Sequence, residues 1–240
     1  MIGAALCLMG AEGFAQLNVQ LHYDLGHALH RTALHSRQHL TATVENFSAD
    51  RWGSTFFFID GDFGDNVLRG AYGEFAREFQ TKRMPVAVHV EYNGGLSYGT
   101  GHGDGYAYAD AYLAGLAYNW NSKDFSKGAS VQALYRYTAR NGAYCHGWQV
   151  TGVWRLTFAK GFCTFSGYAD LWHNNEVNGN LILQSEPQFW WHLYRFRRWA
   201  DDFKLSVGSE VEVSNNFVFT DTGHRNRFYA LPTVALKWQL

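Results

Sequence analysis

Proline, cysteine and long apolar runs are scarce in this chain. Among its 240 residues there are 3 prolines and 3 cysteines, and the formal net charge is only −1. A transmembrane helix needs about 20 consecutive apolar residues, and no segment of the sequence provides such a run. The sequence therefore excludes a helical membrane protein, whereas membrane-spanning strands give a much weaker hydropathy signal and stay possible.

Aromatic residues and glycines are abundant instead. Phe, Trp and Tyr make up 17% of the chain, which also has 25 glycines. Abundant glycine with so few prolines suits long strands joined by turns. The aromatics suffice for the two rings of interfacial side chains that border a transmembrane β-barrel.

Apolar and polar residues alternate along most of the sequence with a period of two. The first such segment has the apolar face Leu17, Val19, Leu21, Tyr23 and Leu25 and the polar face Asn18, Gln20, His22 and Asp24. Acids, amides and histidines recur on the polar face in later segments. This pattern, in segments of about ten residues, is typical of strands that separate lipid from a polar lumen.

Twelve segments have this pattern, and they predict an all-β fold, a transmembrane antiparallel β-barrel. We place the strands at about 17–25, 38–48, 54–63, 69–80, 85–94, 107–120, 129–139, 146–158, 161–173, 181–193, 203–214 and 227–240. An even number is expected of an outer-membrane barrel, and closure leaves no strand edge unpaired in lipid. We therefore expect a single barrel domain over residues 16–240, located in the outer membrane.

The inward and outward faces are ambiguous in two of these strands. Segment 69–80 places Arg77 on its apolar face, and segment 107–120 is dominated throughout by Ala, Tyr and Gly. A shift of one residue would invert every side chain in a strand, so the sequence alone does not assign the faces of these two strands.

The connections between strands differ in length, as a barrel predicts. Short ones, expected to be periplasmic turns, are 49–53, 81–84 and 159–160; longer ones, expected to be extracellular loops, are 26–37, 96–106, 174–180 and 215–226. Segments 64–68 and 194–202 depart from this trend. Loops 26–37 and 96–106 can fold inward and would then set the pore radius.

Residues 1–15 are predicted to be a cleaved signal peptide. The apolar segment 2–10 is followed by Gly13, Phe14 and Ala15, which place small residues at positions −3 and −1 before Gln16. A buried N-terminal helix of the mature protein is the alternative.

Beyond this segment only Cys145 and Cys163 remain. The strand assignments put these two cysteines at opposite ends of the wall, so we expect both to be free.

Several segments resemble the nucleoside-specific channel-forming porins of Gram-negative outer membranes, the Tsx-like proteins. The matching stretches are LNVQLHYDLG at 17–26, TATVENFSADRWGSTFFFIDGDF at 41–63, PVAVHVEYNGGL at 85–96, LILQSEPQFWW at 181–191 and LSVGSEVEVSNNF at 205–217. RWGSTFFFID and SEPQFW are the more specific of these. The resemblance implies a monomeric twelve-stranded barrel with a narrow, aromatic-lined lumen that passes nucleosides, embedded in outer-membrane lipid.

The polar faces predict an acidic lumen. The inward acids would be Asp24, Glu45, Asp60, Asp62, Glu74, Glu78, Glu91, Asp170, Glu186, Glu210 and Glu212, and the inward bases Arg136, Arg155, Lys204 and Lys237. A low-dielectric wall focuses this negative potential, which repels anions and favours neutral or cationic solutes. The alternative is an ion-pair network that fills the barrel and conducts nothing.

Aromatic rings share these faces and suit a nucleoside, whose base can stack on a ring while its ribose hydroxyls bind carboxylates or amides. The alternative is that the rings only fill a taper of the barrel. The candidate solute-binding and lumen-lining residues are Phe56, Phe58, Asp60, Asp62, Tyr72, Glu74, His89, Glu91, Arg155, Tyr168, Asp170, Glu186, Gln188, Trp190, Glu210 and Glu212.

The remaining motifs give no metal site and no cofactor. His27, His30 and His35 lie in the first long loop and His102 lies near Asp104, but their spacing matches no compact ligand motif. No GxSxG nucleophile motif occurs, although Asp60 and Asp62 could meet His22 or His89 across the barrel. We therefore expect a channel, with no enzymatic activity and no nucleic acid partner. There are two alternatives: a barrel enzyme that hydrolyses lipid or peptide, and a plugged barrel with a structural or assembly role.

Overall fold

A computed structural model describes residues 14–30, 34, 39–64, 67–80, 85–98, 106–140, 143–174, 181–196, 203–219 and 222–240. The predicted signal peptide falls almost wholly outside these residues, so its cleavage stays a prediction.

Almost every regular element is a strand. The strands are β1 (Phe14–Asp24), β2 (Leu40–Asp50), β3 (Gly53–Gly64), β4 (Val67–Gln80), β5 (Val86–Ser97), β6 (Tyr106–Ala107), β7 (Asp110–Asn121), β8 (Lys127–Arg140), β9 (Ala143–Phe158), β10 (Cys163–His173), β11 (Leu181–Ser185), β12 (Gln188–His192), β13 (Lys204–Asn215) and β14 (Phe228–Gln239). The other regular elements of the described residues are the α-helix α1 (Gly26–Leu29) and short 3-10 turns at Ala159–Gly161, Leu193–Arg195 and Thr222–His224. No helix in the described residues is long and apolar enough to cross a membrane.

The strands close into one antiparallel barrel. Each pairs with its neighbours along the chain, and β14 returns to pair with β1 from Asn18 opposite Gln239 to Asp24 opposite Thr233. The fourteen strands fill twelve positions, because β11 and β12 share one place between β10 and β13, and β6 only extends the pairing of β5. The predicted fold class, an all-β barrel of twelve strands, is confirmed.

Two strand predictions differ from the structure for local reasons. The predicted strand 181–193 is divided at Glu186 and Pro187, since proline has no N–H to give to the ladder. The predicted strand 107–120 begins later, at Asp110, and its first residue instead belongs to β6, which pairs with the end of β5. The registers on both sides of Pro187 stay in phase, so the faces of this strand are not inverted.

The barrel is apolar outside and polar inside. On β8, for example, outward Val131 is 57% exposed, whereas inward Gln132 is 1% exposed. The same contrast runs along β1 and β5, where exposed Leu, Val and Tyr alternate with buried Asn, Gln, His and Glu. A closed wall with an apolar outer band belongs in lipid, and an even number of antiparallel strands is the architecture of outer-membrane barrels. The protein is therefore an outer-membrane β-barrel.

The two ambiguous strands have different explanations. Arg77 on β4 does lie on the outer face, but near the end of the barrel, where its guanidinium contacts Asp50 at 2.9 Å and donates to Thr55 Oγ1 at 2.9 Å. A long basic side chain can reach the interface in this way. On β7 the lumen face itself is small or apolar, with buried Ala111, Leu113 and Ala117, so alternation in the sequence is weak.

The turns at one end of the barrel are tight, as expected of the periplasmic end. β2 and β3 are joined by only Arg51 and Trp52. The turn between β7 and β8 is held by Asp124, whose carboxylate accepts hydrogen bonds from Ser122 Oγ at 2.6 Å and Ser126 Oγ at 2.9 Å. These bonds lower the pKa of Asp124 to about 2.

At the opposite end, α1 lies at the start of the first loop and contacts β14. α1 packs on β14, where Gly26 lies so close to inward-facing Leu231 that an added Cβ would stand 2.7 Å from its Cδ2 atom. His30 Nε2 also approaches the Ala230 carbonyl at 3.3 Å.

Cys145 and Cys163 are free, as predicted.

Arginine in the middle of the outer face should be costly. Val150 lies near the centre of β9, points to lipid and is 43% exposed. We expect Val150→Arg to lower the free energy of unfolding by about 2–4 kcal/mol, measured by denaturant unfolding in lipid vesicles. Val150→Ile, which keeps the position apolar, should stay within about 0.5 kcal/mol of wild type. Equal stability of the two variants would contradict the assigned outer face.

Candidate functional site

The lumen wall is the candidate site, and it is built from alternate residues of all twelve barrel positions. Every predicted lining residue occupies an inward-facing position: Phe56, Phe58, Asp60, Asp62, Tyr72, Glu74, His89, Glu91, Arg155, Tyr168, Asp170, Glu186, Gln188, Trp190, Glu210 and Glu212. Their placement is a consequence of strand register. Register alone does not determine whether they bind a solute.

The charges of the wall are distributed as the sequence predicts. The inward acids are Asp24, Glu45, Asp60, Asp62, Glu74, Glu78, Glu91, Asp170, Glu186, Glu210 and Glu212, and the inward bases are Arg136, Arg155, Lys204 and Lys237. Acids thus exceed bases on this face although the whole chain is almost neutral. With these carboxylates ionised, the excess of acids makes the potential inside the barrel negative.

A chain of hydrogen bonds joins strands β4, β5 and β7 on the lumen face, in the half of the barrel nearer the periplasmic turns; we call it the lower network. His89 Nε2 lies 2.9 Å from Glu91 Oε2, and its Nδ1 lies 3.3 Å from Glu78 Oε1. Asn119 donates to the other oxygen of Glu78 at 2.7 Å. Both ring nitrogens of His89 are engaged, so this imidazole fixes two carboxylates of the wall in place.

A second network lies on the other side of the barrel. Gln188 donates to Glu210 Oε2 at 2.6 Å, and the indole N–H of Trp190 donates to Gln188 Oε1 at 2.9 Å. The Lys237 ammonium lies 4.0 Å from the centre of the Trp190 ring, and His22 meets that ring edge-on. One face of Trp190 is thus already covered by a cation of the wall itself.

The aromatic residues of β3 pack together rather than standing apart. Phe56 and Phe58 form a buried cluster with Ala76, and Phe47 and Tyr72 pack against it. The Phe58 and Tyr72 ring centres are 6.1 Å apart. Among these rings Tyr72 and Phe47 keep more exposed surface than Phe56 and Phe58, so Tyr72 is the ring of this cluster best placed to meet a solute.

Asp60 and Asp62 on β3 are held in place by threonines of the neighbouring strand β2. Thr43 Oγ1 donates to Asp60 at 2.5 Å, and Thr41 Oγ1 donates to Asp62 at 2.7 Å. No histidine of the described residues hydrogen-bonds either carboxylate, so the acid–histidine pairing considered for a hydrolase does not form there.

The nearest approach to a catalytic arrangement is a histidine between two hydroxyls. His192 Nδ1 lies 2.8 Å from Ser206 Oγ, and its Nε2 lies 2.8 Å from Thr164 Oγ1. Within the described part of the chain no carboxylate hydrogen-bonds this ring. A hydrolytic triad needs a third group that orients the base, so this set gives no support to a hydrolase.

Histidines of the first loop form a ring stack and no metal site. His27 and His39 stack with centres 3.9 Å apart. The residues that the structure describes contain no group of three or more His, Cys, Asp or Glu side chains arranged to hold a metal ion. His35, His102 and Asp104 lie outside the described residues.

Several polar lining residues were missing from the predicted set. Asn93, Gln132 and Gln149 are buried on the lumen face beside the predicted acids. The same alternation that identified Glu91 could have identified Asn93, two residues later on β5. Charge and aromatic character, which singled out most of the predicted residues, do not distinguish these amides.

The chain is similar to known proteins in one family model and in its fold. Residues 15–240 match the family model described as "Domain of unknown function (DUF5020)", and no curated protein matches. The fold is similar to the structure titled "KdgM porin", at 12% identity over 94% of this chain and 99% of that chain, with a TM-score of 0.49. The structure titled "KdgM porin in complex with disordered oligogalacturonate" is 12% identical over 94% of this chain and 99% of that chain, with a TM-score of 0.48. Outer membrane protein Omp33 of Acinetobacter baumannii is 11% identical over 97% of this chain and 99% of that chain, with a TM-score of 0.39. At these values the comparisons say nothing of what passes through this barrel.

Loss of the histidine in the lower network should destabilise the barrel. His89→Leu leaves Glu78 Oε1 and Glu91 Oε2 without the partner they have in the wild type, and each unsatisfied buried acceptor costs about 1–3 kcal/mol. We expect a corresponding loss in the free energy of unfolding. His146→Leu, on the exposed outer face of β9, is the matched control: it also removes a hydrogen bond, with the Tyr135 hydroxyl, but at an exposed position, and it should change stability by less than about 0.5 kcal/mol. Equal effects of the two substitutions would mean that the network contributes nothing.

Proposed function

We propose that this chain, which belongs to the family described as "Domain of unknown function (DUF5020)", is a channel for passive diffusion of small polar solutes. The observation that carries the proposal is the combination of an apolar outer face with an inner face of acids, amides and hydroxyls. A barrel that only anchors other proteins has no need of so polar an interior. Solutes would pass without chemical change, and the resemblance noted in the sequence supports a monomeric channel.

The charge of the wall supports neutral or cationic solutes. The carboxylates outnumber the basic groups on the lumen face, and Asp60 and Asp62 stand near its extracellular end, opposite Thr43 and Thr41. Entry of an anion would be opposed by their potential. A polyanion such as the oligogalacturonate named with KdgM is therefore a poor candidate for this barrel.

Nucleosides are the solutes that we favour within this class. Support comes from the resemblance to nucleoside-specific porins in RWGSTFFFID and SEPQFW and from the pairing of rings with acceptors on β3 and β4. The Tyr72 hydroxyl donates to Glu74 Oε1 at 2.9 Å, so a ring and a carboxylate are presented side by side. A base can stack on such a ring while ribose hydroxyls bind the acid.

A plugged structural barrel is the second candidate, and one observation favours it. Inward side chains such as Gln20, His89 and Trp190 are each only 1% exposed, and α1 packs against inward-facing Leu231 on β14. Side chains that fill the interior would leave no continuous path. No comparable observation among the described residues favours an enzyme.

Planar-bilayer conductance and liposome swelling separate these functions. We expect the purified protein to conduct ions in a lipid bilayer, and nucleosides to reduce that current while they occupy the lumen. A closed barrel would give neither conductance nor swelling. A hydrolase would release fatty acid or peptide fragments with no conductance.

Neutralising the two aspartates of β3 should weaken cation selectivity. Asp60→Asn combined with Asp62→Asn keeps side-chain shape and an oxygen that can accept from Thr43 and Thr41, while removing charge. We expect a reversal potential in a KCl gradient that indicates weaker cation preference, with a smaller change at high salt because ions screen the lumen charges.

The aromatic pair of β3 provides the matched control for this change. Phe56→Leu with Phe58→Leu should weaken nucleoside block, because these buried rings pack against Tyr72, and should leave ion selectivity mostly unchanged, since no charge is altered. If the aspartate double variant changes neither selectivity nor nucleoside block, these carboxylates are structural and the plugged barrel becomes the better assignment.

A further inference from the structure

We propose that the middle of the lumen holds a binding site for a small organic ammonium ion. The inference rests on the channel function proposed above and names a solute class that the nucleoside resemblance does not suggest. It comes from four side chains that converge from opposite walls: Glu74, Glu91, Asn93 and Asp170.

Three of the four side chains lie on the neighbouring strands β4 and β5, and the fourth interacts with them from β10. Glu74 on β4 and Asn93 on β5 are direct cross-strand partners, and Glu91 precedes Asn93 by two residues on the same face. Asp170 comes from β10, several strands away around the barrel. It nevertheless interacts electrostatically with both Glu74 and Glu91, as these two do with each other. Three carboxylates thus interact across the lumen.

Each member presents a buried oxygen that has no hydrogen-bond partner among the described residues. These atoms are Glu74 Oε2, Glu91 Oε1, Asn93 Oδ1 and Asp170 Oδ1. Asn93 is the strongest evidence for a ligand, because charge repulsion among acids does not explain its unpaired oxygen. Its side chain is uncharged, and the residue is only 2% exposed and directly opposite Glu74. Buried acceptors are almost always paired in folded proteins, so four such oxygens in one place form a surface that suits a ligand rich in donors.

The charge of the cluster selects a cation. Arg136 is the basic side chain that interacts with Asp170, but its guanidinium also donates to Gln149 and lies 5.1 Å over the Trp172 ring. With the carboxylates ionised and His89 protonated, three negative charges face the two positive side chains Arg136 and His89, since His89 Nε2 lies 2.9 Å from Glu91 Oε2. A primary ammonium group carries one positive charge and three N–H donors with no acceptor, which matches acceptors that lack donors.

The test uses block of KCl current in planar bilayers by two ions of equal charge. n-Butylammonium has three N–H donors, and tetramethylammonium has none. We expect n-butylammonium to block at a concentration at least tenfold lower than tetramethylammonium. Equal block by the two ions would overturn the proposal, because the negative potential of the lumen alone would then explain it.

Variants locate the site. Glu74→Gln with Glu91→Gln should raise the half-blocking concentration of n-butylammonium at least tenfold. Asp170→Asn, which removes a carboxylate from the opposite wall, should also raise that concentration. Glu45→Gln is the matched control: it also removes one inward charge, but Glu45 already accepts from Asn18 Nδ2 at 2.9 Å. We expect it to stay within twofold of wild type. A change of less than twofold in the Glu74, Glu91 variant refutes the site; if that variant does not fold, as judged by heat-modifiable gel mobility, Asp170→Asn decides.

A binding measurement separates this inference from the channel function. Saturation-transfer NMR of n-butylammonium with the protein in detergent micelles reports binding without transport. Binding that the Glu74, Glu91 variant abolishes, in a barrel that does not conduct, would keep the ammonium site and refute the channel. Conductance with neither block nor binding would refute the site and leave the channel standing.

Discussion

The structure depends on backbone pairing in a solvent that offers no hydrogen-bond partners. In hydrocarbon, every N–H and C=O of a strand has to pair with a neighbouring strand. The seam between β1 and β14, from Asn18 opposite Gln239 to Asp24 opposite Thr233, meets this demand by joining the two ends of the sheet. Without it, the first and last strands would each expose an unpaired edge to lipid. Closure then divides the residues of every strand into those facing lipid and those facing the lumen.

Closure also explains why the polar groups of the interior form networks. Polar side chains of the lumen wall that are buried from water by their neighbours satisfy one another. Glu78, His89 and Glu91 do so on one wall, and Gln188 with Glu210 on the other. Other polar atoms of the wall have no hydrogen-bond partner among the described residues, and the mid-lumen oxygens of Glu74, Asn93 and Asp170 are among them. Where a wall of mutually satisfied groups leaves several acceptors unpaired, binding is a more natural explanation than folding.

The alternation of apolar and polar residues was enough to predict the twelve strands, because period two is the geometry of a strand with two different environments. It placed Phe56, Asp60 and Glu91 on the lumen face. It failed on β7, where Ala111 and Leu113 make the lumen face apolar too, and at Pro187, whose missing N–H interrupts a strand without changing its register. Contacts such as Lys237 over Trp190 or α1 on Leu231 could not be predicted, because they depend on which strands become neighbours and on how loops fold.

The most direct measurement of a water-accessible polar lumen is cysteine accessibility along β8, where small or medium residues alternate between faces. Single cysteines would replace Ser130, Val131, Gln132 and Ala133 in a protein whose native cysteines are changed to serine, and the variants would be reconstituted in lipid vesicles. We expect a charged, membrane-impermeant thiol reagent to label positions 130 and 132 and to spare positions 131 and 133. Labelling of 131 and 133 instead, or of none of the four, would contradict an aqueous lumen bounded by these faces.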